Sequence, residues 1–292
     1  EKTIVFDGLV FEEANVDTSI IMLSNNTSRQ TFEWSKIEPQ KLNNPNFVSR
    51  KYVNIQMENR YELFEFISHE WDEIKKKLKR NTVPLKKLRK ISLGMKLKGN
   101  DNFVVNEKDD SHPDLIVFGK DINFFAPLDM NHYFSWNDSV KIGGTQNYQV
   151  YEHKTKILIQ AIRNLSLERR IVATIDENAS FFVGTVNGLT PIESELDFIK
   201  DEHFLLAIIN SNLLNAYFKS QYTTISLTAA FLGELPIKIV SDFTQNQIGQ
   251  IVRELMQEND ELHRIKLINQ IDQLVYQLYD LTEEEIAIIE NS

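Results

Sequence analysis

The 292-residue sequence contains no cysteine. That excludes disulfides and thiolate metal sites and makes a reducing, cytoplasmic setting the simplest expectation. No apolar run reaches about 18 residues, so no membrane partner is expected. No secretory leader is visible ahead of the first apolar stretch. No G-x-G-x-x-G opens a helix after a strand, which argues against a dinucleotide site. The two glycines of "KIGGTQ" (141–146) lack the Lys-Ser/Thr of a phosphate loop, and the stretch reads as a mobile turn. His69, His112, His132, His153, His203 and His263 are scattered, with no pair spaced for a zinc site on one helix face. His112 and Asp114 flank Pro113 as a turn, and Asp176 and Glu177 read as solvated carboxylates at another.

What is present is charge, unevenly spread. The formal net charge is −10, which on its face disfavours a polyanionic partner. Yet residues 74–98 hold eleven Lys or Arg and no Asp or Glu, whereas residues 241–292 hold eleven acids against three bases. Screening acts over roughly 8 Å at physiological salt. A partner touching the basic segment would feel that segment more than a remote tail. The basic run is either a solvated helix face or an electrostatic footprint for nucleic acid.

Hydrophobic periodicity divides the rest. Residues 4–6 and 18–23 read as two strands around a turn at Gly8. Residues 30–60 are irregular. Leu63, Phe64, Ile67, Trp71, Ile74 and Leu78 recur at helical spacing over 61–80, and Pro84 ends that element. Residues 103–105 read as a strand. "DLIVFG", "KILIQAI", "RRIVATID" and "FFVGTVNGL" are short β-type runs, with a turn in "IDENASFF". A helix is predicted over 203–219, then a strand at "ELPIKIV". Two helices follow over 244–279, divided near Asn259–Asp260, and Thr282 with Glu285 forms a capping box before a last helix. The fold class is α+β, a strand-rich middle followed by a helical tail.

"NPNF" at 44–47 is close to the Asn/Asp-Pro-Pro-Tyr/Phe loop of amino-methylating enzymes, which holds a flipped base. It is rejected as catalytic. Asn46 replaces the second proline, and no glycine-rich cofactor loop stands among the 43 residues before Asn44.

"VFEEANVDTSIIML" (10–23) resembles the closing strands of the catalytic domain in Taq-type and type IIG adenine-specific DNA methyltransferases. In order along the chain, further stretches resemble the target-recognition domain of the same family. "LKKLRKISLGMKLKGNDNFVV" is similar to its entry segment, and "DLIVFGKDI" to its Gly-Lys-Asp-Ile turn. "KILIQAIRN" and "RRIVATIDENASFFVGTVNGLTP" are similar to its central strands. "LLAIINSNLLNAYFK" and "FLGELPIKIV" are similar to its helix and Leu-Pro strand, and "INQIDQLVYQLYDLTEEEIAIIE" to its closing helices. Residues 30–80 match least.

The resemblance implies three segments: terminal strands of a methyltransferase domain at 1–30, a DNA target-recognition domain at 31–240, and C-terminal helices at 241–292 packed on it. It implies a double-stranded DNA partner and a recognition module of a prokaryotic restriction–modification enzyme. The fragment itself would be inactive and without cofactor. The parent would use S-adenosylmethionine for adenine-specific methylation, and Mg²⁺ if a nuclease domain is fused. A methyltransferase or nuclease domain of the parent chain would then be a further partner. Such a domain holds phosphate with Lys and Arg and reads base edges with side chains on a rigid scaffold. The candidates are Lys96, Lys98, Asn100, Lys120, Lys154, Arg163, Arg169 and Arg170. The competing expectation is a protein–protein interaction module whose tail helices assemble a larger complex.

Overall fold

A computed structural model describes residues 2–6, 10–11, 18–22, 31–43, 45, 47–51, 70–99, 103–128, 130–192, 198–222 and 224–291. The chain divides into two units, Glu1–Phe66 and Ile67–Ser292.

In the first unit, β1 (Lys2–Phe6), β2 (Ser19–Met22), β3 (Thr31–Ile37) and β4 (Val48–Lys51) form one sheet in the order β2-β1-β3-β4. β1 and β2 pair antiparallel, whereas β1 and β3 run parallel, with Phe6 opposite Ile37. Ile4, Phe6 and Ile37 form its small core. The sheet thus extends past residue 30, where the sequence had suggested a segment end. Thr, Glu, Ser and Lys in "TFEWSKI" hid that strand. The turn at Gly8 and the first half of the helix expected over 61–80 lie outside the described residues.

The second unit opens with α1 (Glu70–Leu78) and β5 (Thr82–Pro84). Its main sheet joins β6 (Arg89–Leu93), β11 (Lys156–Gln160), β12 (Ala173–Asp176) and β14 (Val186–Pro191) in the antiparallel order β12-β11-β14-β6. β8 (Asp114–Val117), β9 (Tyr133–Phe134) and β13 (Phe181–Phe182) make a second sheet. β7 (Lys96–Leu97) and β10 (Lys141–Gly143) make an antiparallel ribbon, and β15 (Pro236–Lys238) pairs with β5. A four-residue helix, α2 (Gln149–Glu152), precedes β11. The expected strand at 103–105 contributes only a bridge from Val105 to Tyr133.

Both faces of the main sheet are covered, which is why Ile157, Leu158 and Ile159 of β11 form a continuous apolar run rather than an alternating one. Ile157 and Ile159 belong to the helical core, together with Ala173, Ile175 and Leu189. Leu158 turns the other way, against Met95, Phe134, Phe182 and Val186. The helix expected over 203–219 is two helices, α3 (Glu202–Asn210) and α4 (Asn212–Gln221). Ser211 caps α4, its hydroxyl accepting from Leu214 N at 3.2 Å. The Asn210 amide bonds both backbone groups of Ala173 (2.9 and 3.0 Å), and Asn215 Oδ1 accepts from Ile171 N at 2.8 Å. Apolar periodicity runs unbroken through the junction, so pattern alone concealed it.

A short helix, α5 (Ala229–Gly233), leads into β15. α6 (Asp242–Gln257) and α7 (Glu261–Leu278) separate at 258–260, close to the expected break, and Asp260 caps α7. α8 (Glu283–Glu290) begins at the capping box, where Thr282 N donates to Glu285 Oε2 at 2.7 Å. Ile248, Val252, Leu255, Ile271, Val275 and Ile289 from these helices share one core with α3 and α4. Asp272, buried in α7, accepts a hydrogen bond from Asn212 N at 2.8 Å. Burial pushes its carboxyl up to about 6.

Candidate nucleic-acid interface

Part of the basic run at 74–98 is spent on ion pairs within the chain, some buried and some at the surface. Lys77 Nζ lies 2.6 Å from Glu285 of α8. Arg89 is buried and paired with Glu202, Lys86 is paired with Glu234, and Lys76 with Glu73. The acidic tail therefore supplies a counter-charge to the segment whose charge it offsets in the composition. Lys79, Arg80, Lys87, Lys90, Lys96 and Lys98 remain exposed. A cleft of about 530 Å³ beside β6 is lined by Lys86, Arg89, Lys90, Ala229 and Ala230. Two of its three cations are already paired with carboxylates, so it makes a poor dedicated anion site.

The predicted side chains fall into separate groups. Lys96 on β7 and Lys98 in the turn just after it are exposed, while Leu97 between them is buried. Lys120 is exposed with its ammonium 5.7 Å from the Phe118 ring centre. Lys154 is exposed just before β11. Asn100 lies outside the described residues.

The three arginines come together on the loop after β11, and the fold uses them. Arg163 Nε donates to the carbonyl of Arg169 at 2.8 Å, and desolvation lowers its pKa. The Arg169 guanidinium sits 4.0 Å over Phe124 and donates to the Asn210 carbonyl at 3.2 Å. Arg170 is only 2% exposed and donates to the Thr224 carbonyl. As placed, it presents no surface to a ligand.

Asp176 departs from its reading as a solvated carboxylate. It and Lys156 are fully buried and 2.7 Å apart. Its oxygens accept from Asn178 N, Ser180 N and the Ser180 hydroxyl. The pair fastens the turn between β12 and β13. One partner stands in "KILIQ" and the other in "IDEN", so no local signal revealed it. Among the described residues no cluster of three or more His, Asp or Glu is arranged to hold a metal. No described helix is long and apolar enough to cross a membrane.

The ribbon includes residues to which the sequence pattern gave no weight. "KIGGTQ" is not a free turn, because Lys141–Gly143 pairs with β7. Leu97 faces Lys141 and Lys96 faces Gly143, so Ile142 is an extra, bulged residue. Lys141 stands 4.0 Å over the Trp136 ring and donates to the Trp136 carbonyl. Trp136 packs against Tyr148, Tyr151 and Phe181, which form an aromatic footing. Gly144 has φ +67°, and a Cβ there would overlap the Gly94 carbonyl oxygen. The glycine permits this crossing of two backbones.

Residues 114–237 match the family described as the TaqI-like C-terminal specificity domain. No curated protein matches the chain. The type IIL restriction–modification enzyme MmeI, solved in complex with DNA, aligns with a TM-score of 0.57 at 12% identity, over 99% of this chain and 44% of its own. The type IIG restriction endonuclease BpuSI aligns at 0.44 and 16% identity, over 96% of this chain and 43% of its own. The HsdS subunit from Thermoanaerobacter tengcongensis aligns at 0.39 and 13% identity, over 72% of this chain and 50% of its own. The chain spans less than half the length of MmeI, and at this identity that likeness concerns the fold. The chain is an α+β protein whose residues 114–237 match the TaqI-like C-terminal specificity domain family.

Proposed function

We propose that the chain is the DNA target-recognition part of an adenine-specific methyltransferase of a prokaryotic restriction–modification system. The observation that carries this reading is the match of residues 114–237 to a specificity domain. The exposed Lys96, Lys98, Lys120 and Lys154 support it as phosphate contacts. Arg163 and Arg169 would brace the surrounding loop, and Asn100 follows the ribbon in sequence. Methyl transfer would belong to a catalytic domain of the parent that binds S-adenosylmethionine, and a fused nuclease would use Mg²⁺. The parent would act in the cytoplasm. The strands of the first unit would be the last of that catalytic domain.

The test is fluorescence anisotropy of the chain with duplex DNA across a salt series. Binding is expected, with log affinity falling by about 0.9 per phosphate neutralised for each unit of log salt. Calorimetry with S-adenosylmethionine is expected to show no specific binding. Absence of DNA binding at low salt, or tight cofactor binding, would overturn the assignment. A second reading, a module that docks on another protein, draws on Phe243 and Leu262, which are 72% and 71% exposed on the helical tail.

A further inference from the structure

We propose that the β7/β10 ribbon enters the major groove of DNA, with Lys96 and Lys98 on phosphate or guanine acceptors and Val140 and Ile142 on thymine methyl groups. The inference rests on the DNA-recognition reading above and adds the element, the groove and the contacting side chains. The major groove admits a two-stranded ribbon as readily as a helix, and its thymines present a methyl group to apolar side chains.

The outward face has the composition this docking needs. Val140 and Ile142 are 51% and 53% exposed, beside the exposed Lys96 and Lys98. A lone exposed aliphatic residue needs no explanation. Here two β-branched ones stand two positions apart, across the ribbon from Lys96 and Lys98, and neither 94–99 nor 139–148 contains an acid. The bulge at Ile142 turns an additional side chain outward, as bulges beside functional sites do.

The ribbon is also held still. Lys98 N donates to the Val140 carbonyl at 2.9 Å, and Thr145 N to the Leu93 carbonyl at 3.0 Å. The Tyr151 hydroxyl donates to the Thr145 carbonyl at 2.6 Å. Met95 N donates to the Phe182 carbonyl at 3.0 Å, tying the base of β7 to the second sheet. Lys141 is turned inward over Trp136 and acts as a buttress. A reading element fixed before binding loses little entropy on docking.

The experiment uses the full chain and a pool of randomised duplexes, from which a preferred sequence is selected. Anisotropy titrations then compare wild type with Lys96→Ala/Lys98→Ala and with Val140→Ser/Ile142→Ser, on the selected duplex and on copies with each thymine replaced by uracil. The lysine variant should bind more weakly, with a salt slope shallower by about 0.9 for each phosphate it no longer neutralises. Wild type should lose about fivefold or more on at least one uracil copy, by the scale of a groove interaction, and the serine variant should not. Thermal unfolding checks that the variants fold. Should the serine variant fail to fold, hydrogen exchange of wild type must show protection of amides 140–144 by the selected duplex. Wild-type binding with both folded variants unchanged in affinity, slope and thymine preference would overturn the ribbon assignment and leave DNA recognition standing. No wild-type binding to any duplex at low salt would overturn the reading on which it rests.

Discussion

Lys77 Nζ lies 2.6 Å from Glu285 Oε2 and 2.7 Å from the Asp280 carbonyl oxygen, joining the basic run to the acidic tail. Both side chains are largely buried, unlike the exposed pair of Lys76 and Glu73. Glu285→Gln keeps an acceptor for Thr282 N and removes the charge. Stability should fall by about 1.5–3 kcal/mol, the range for a hydrogen bond to a charged group. Thermal unfolding reads the loss, and Glu73→Gln should be nearly silent in the same assay.

Asn210→Leu removes both partners of Ala173 at a fully buried site. Each orphaned backbone group costs about 1–3 kcal/mol. We expect a loss of roughly 2–5 kcal/mol in urea unfolding by that scale. An unchanged midpoint would show that the two helices, rather than the amide, hold the strand in place.

Asp272 should make stability pH-dependent in a definite direction. Its carboxyl is raised to about 6, first by burial and then by nearby Glu290, against Asn212 N and Arg169, which lower it. Tyr276 stands beside it and is itself pushed up by burial. A raised acid favours the native state below its unfolded value of 3.8, and that contribution is lost as pH climbs through about 6. Asp272→Asn, which retains the acceptor for Asn212 N, should therefore gain on wild type between pH 4 and pH 7, approaching about 3 kcal/mol. Parallel urea titrations across that range would refute this if the two proteins kept a constant difference.

Gly144→Ala should displace the ribbon. The left-handed backbone alone costs about 1–2 kcal/mol for a residue with a side chain, and the new methyl would meet the Gly94 backbone. Gly143→Ala is the control, since a Cβ there stands 3.8 Å from Lys96 Cβ, an ordinary separation. Hydrogen exchange at Thr145, whose amide bonds Leu93, should accelerate in the first variant only.

The strand-rich middle and the helical tail were legible because periodicity and local chemistry agreed there. The capping box at Thr282–Glu285 and the break near Asp260 are signals that neighbouring residues can state by themselves. Asn210 was not legible, because its effect depends on Ala173 arriving from a strand thirty-seven positions away. Which members of the basic run are paired was hidden for a similar reason, since the carboxylates that hold Lys77, Lys86 and Arg89 come from distant segments. The exposed Lys96 and Lys98 were found by charge. Val140 and Ile142 were missed because only the pairing of 141–143 with β7 makes their exposure meaningful.

The two asparagines at the α3/α4 junction also bear on solubility. β12 is the outermost strand of its sheet, and its outward N–H and C=O groups would template the addition of another chain. Asn210 occupies both such groups of Ala173, and Asn215 takes the N–H of Ile171 just before the strand. The sheet is thus terminated by side-chain amides carried on helices. This protection lasts only while those helices are docked. Partial unfolding that releases α3 and α4 would bare an adhesive margin while the strands still pair, so aggregation under mild heat should track loosening of this junction rather than loss of the sheet.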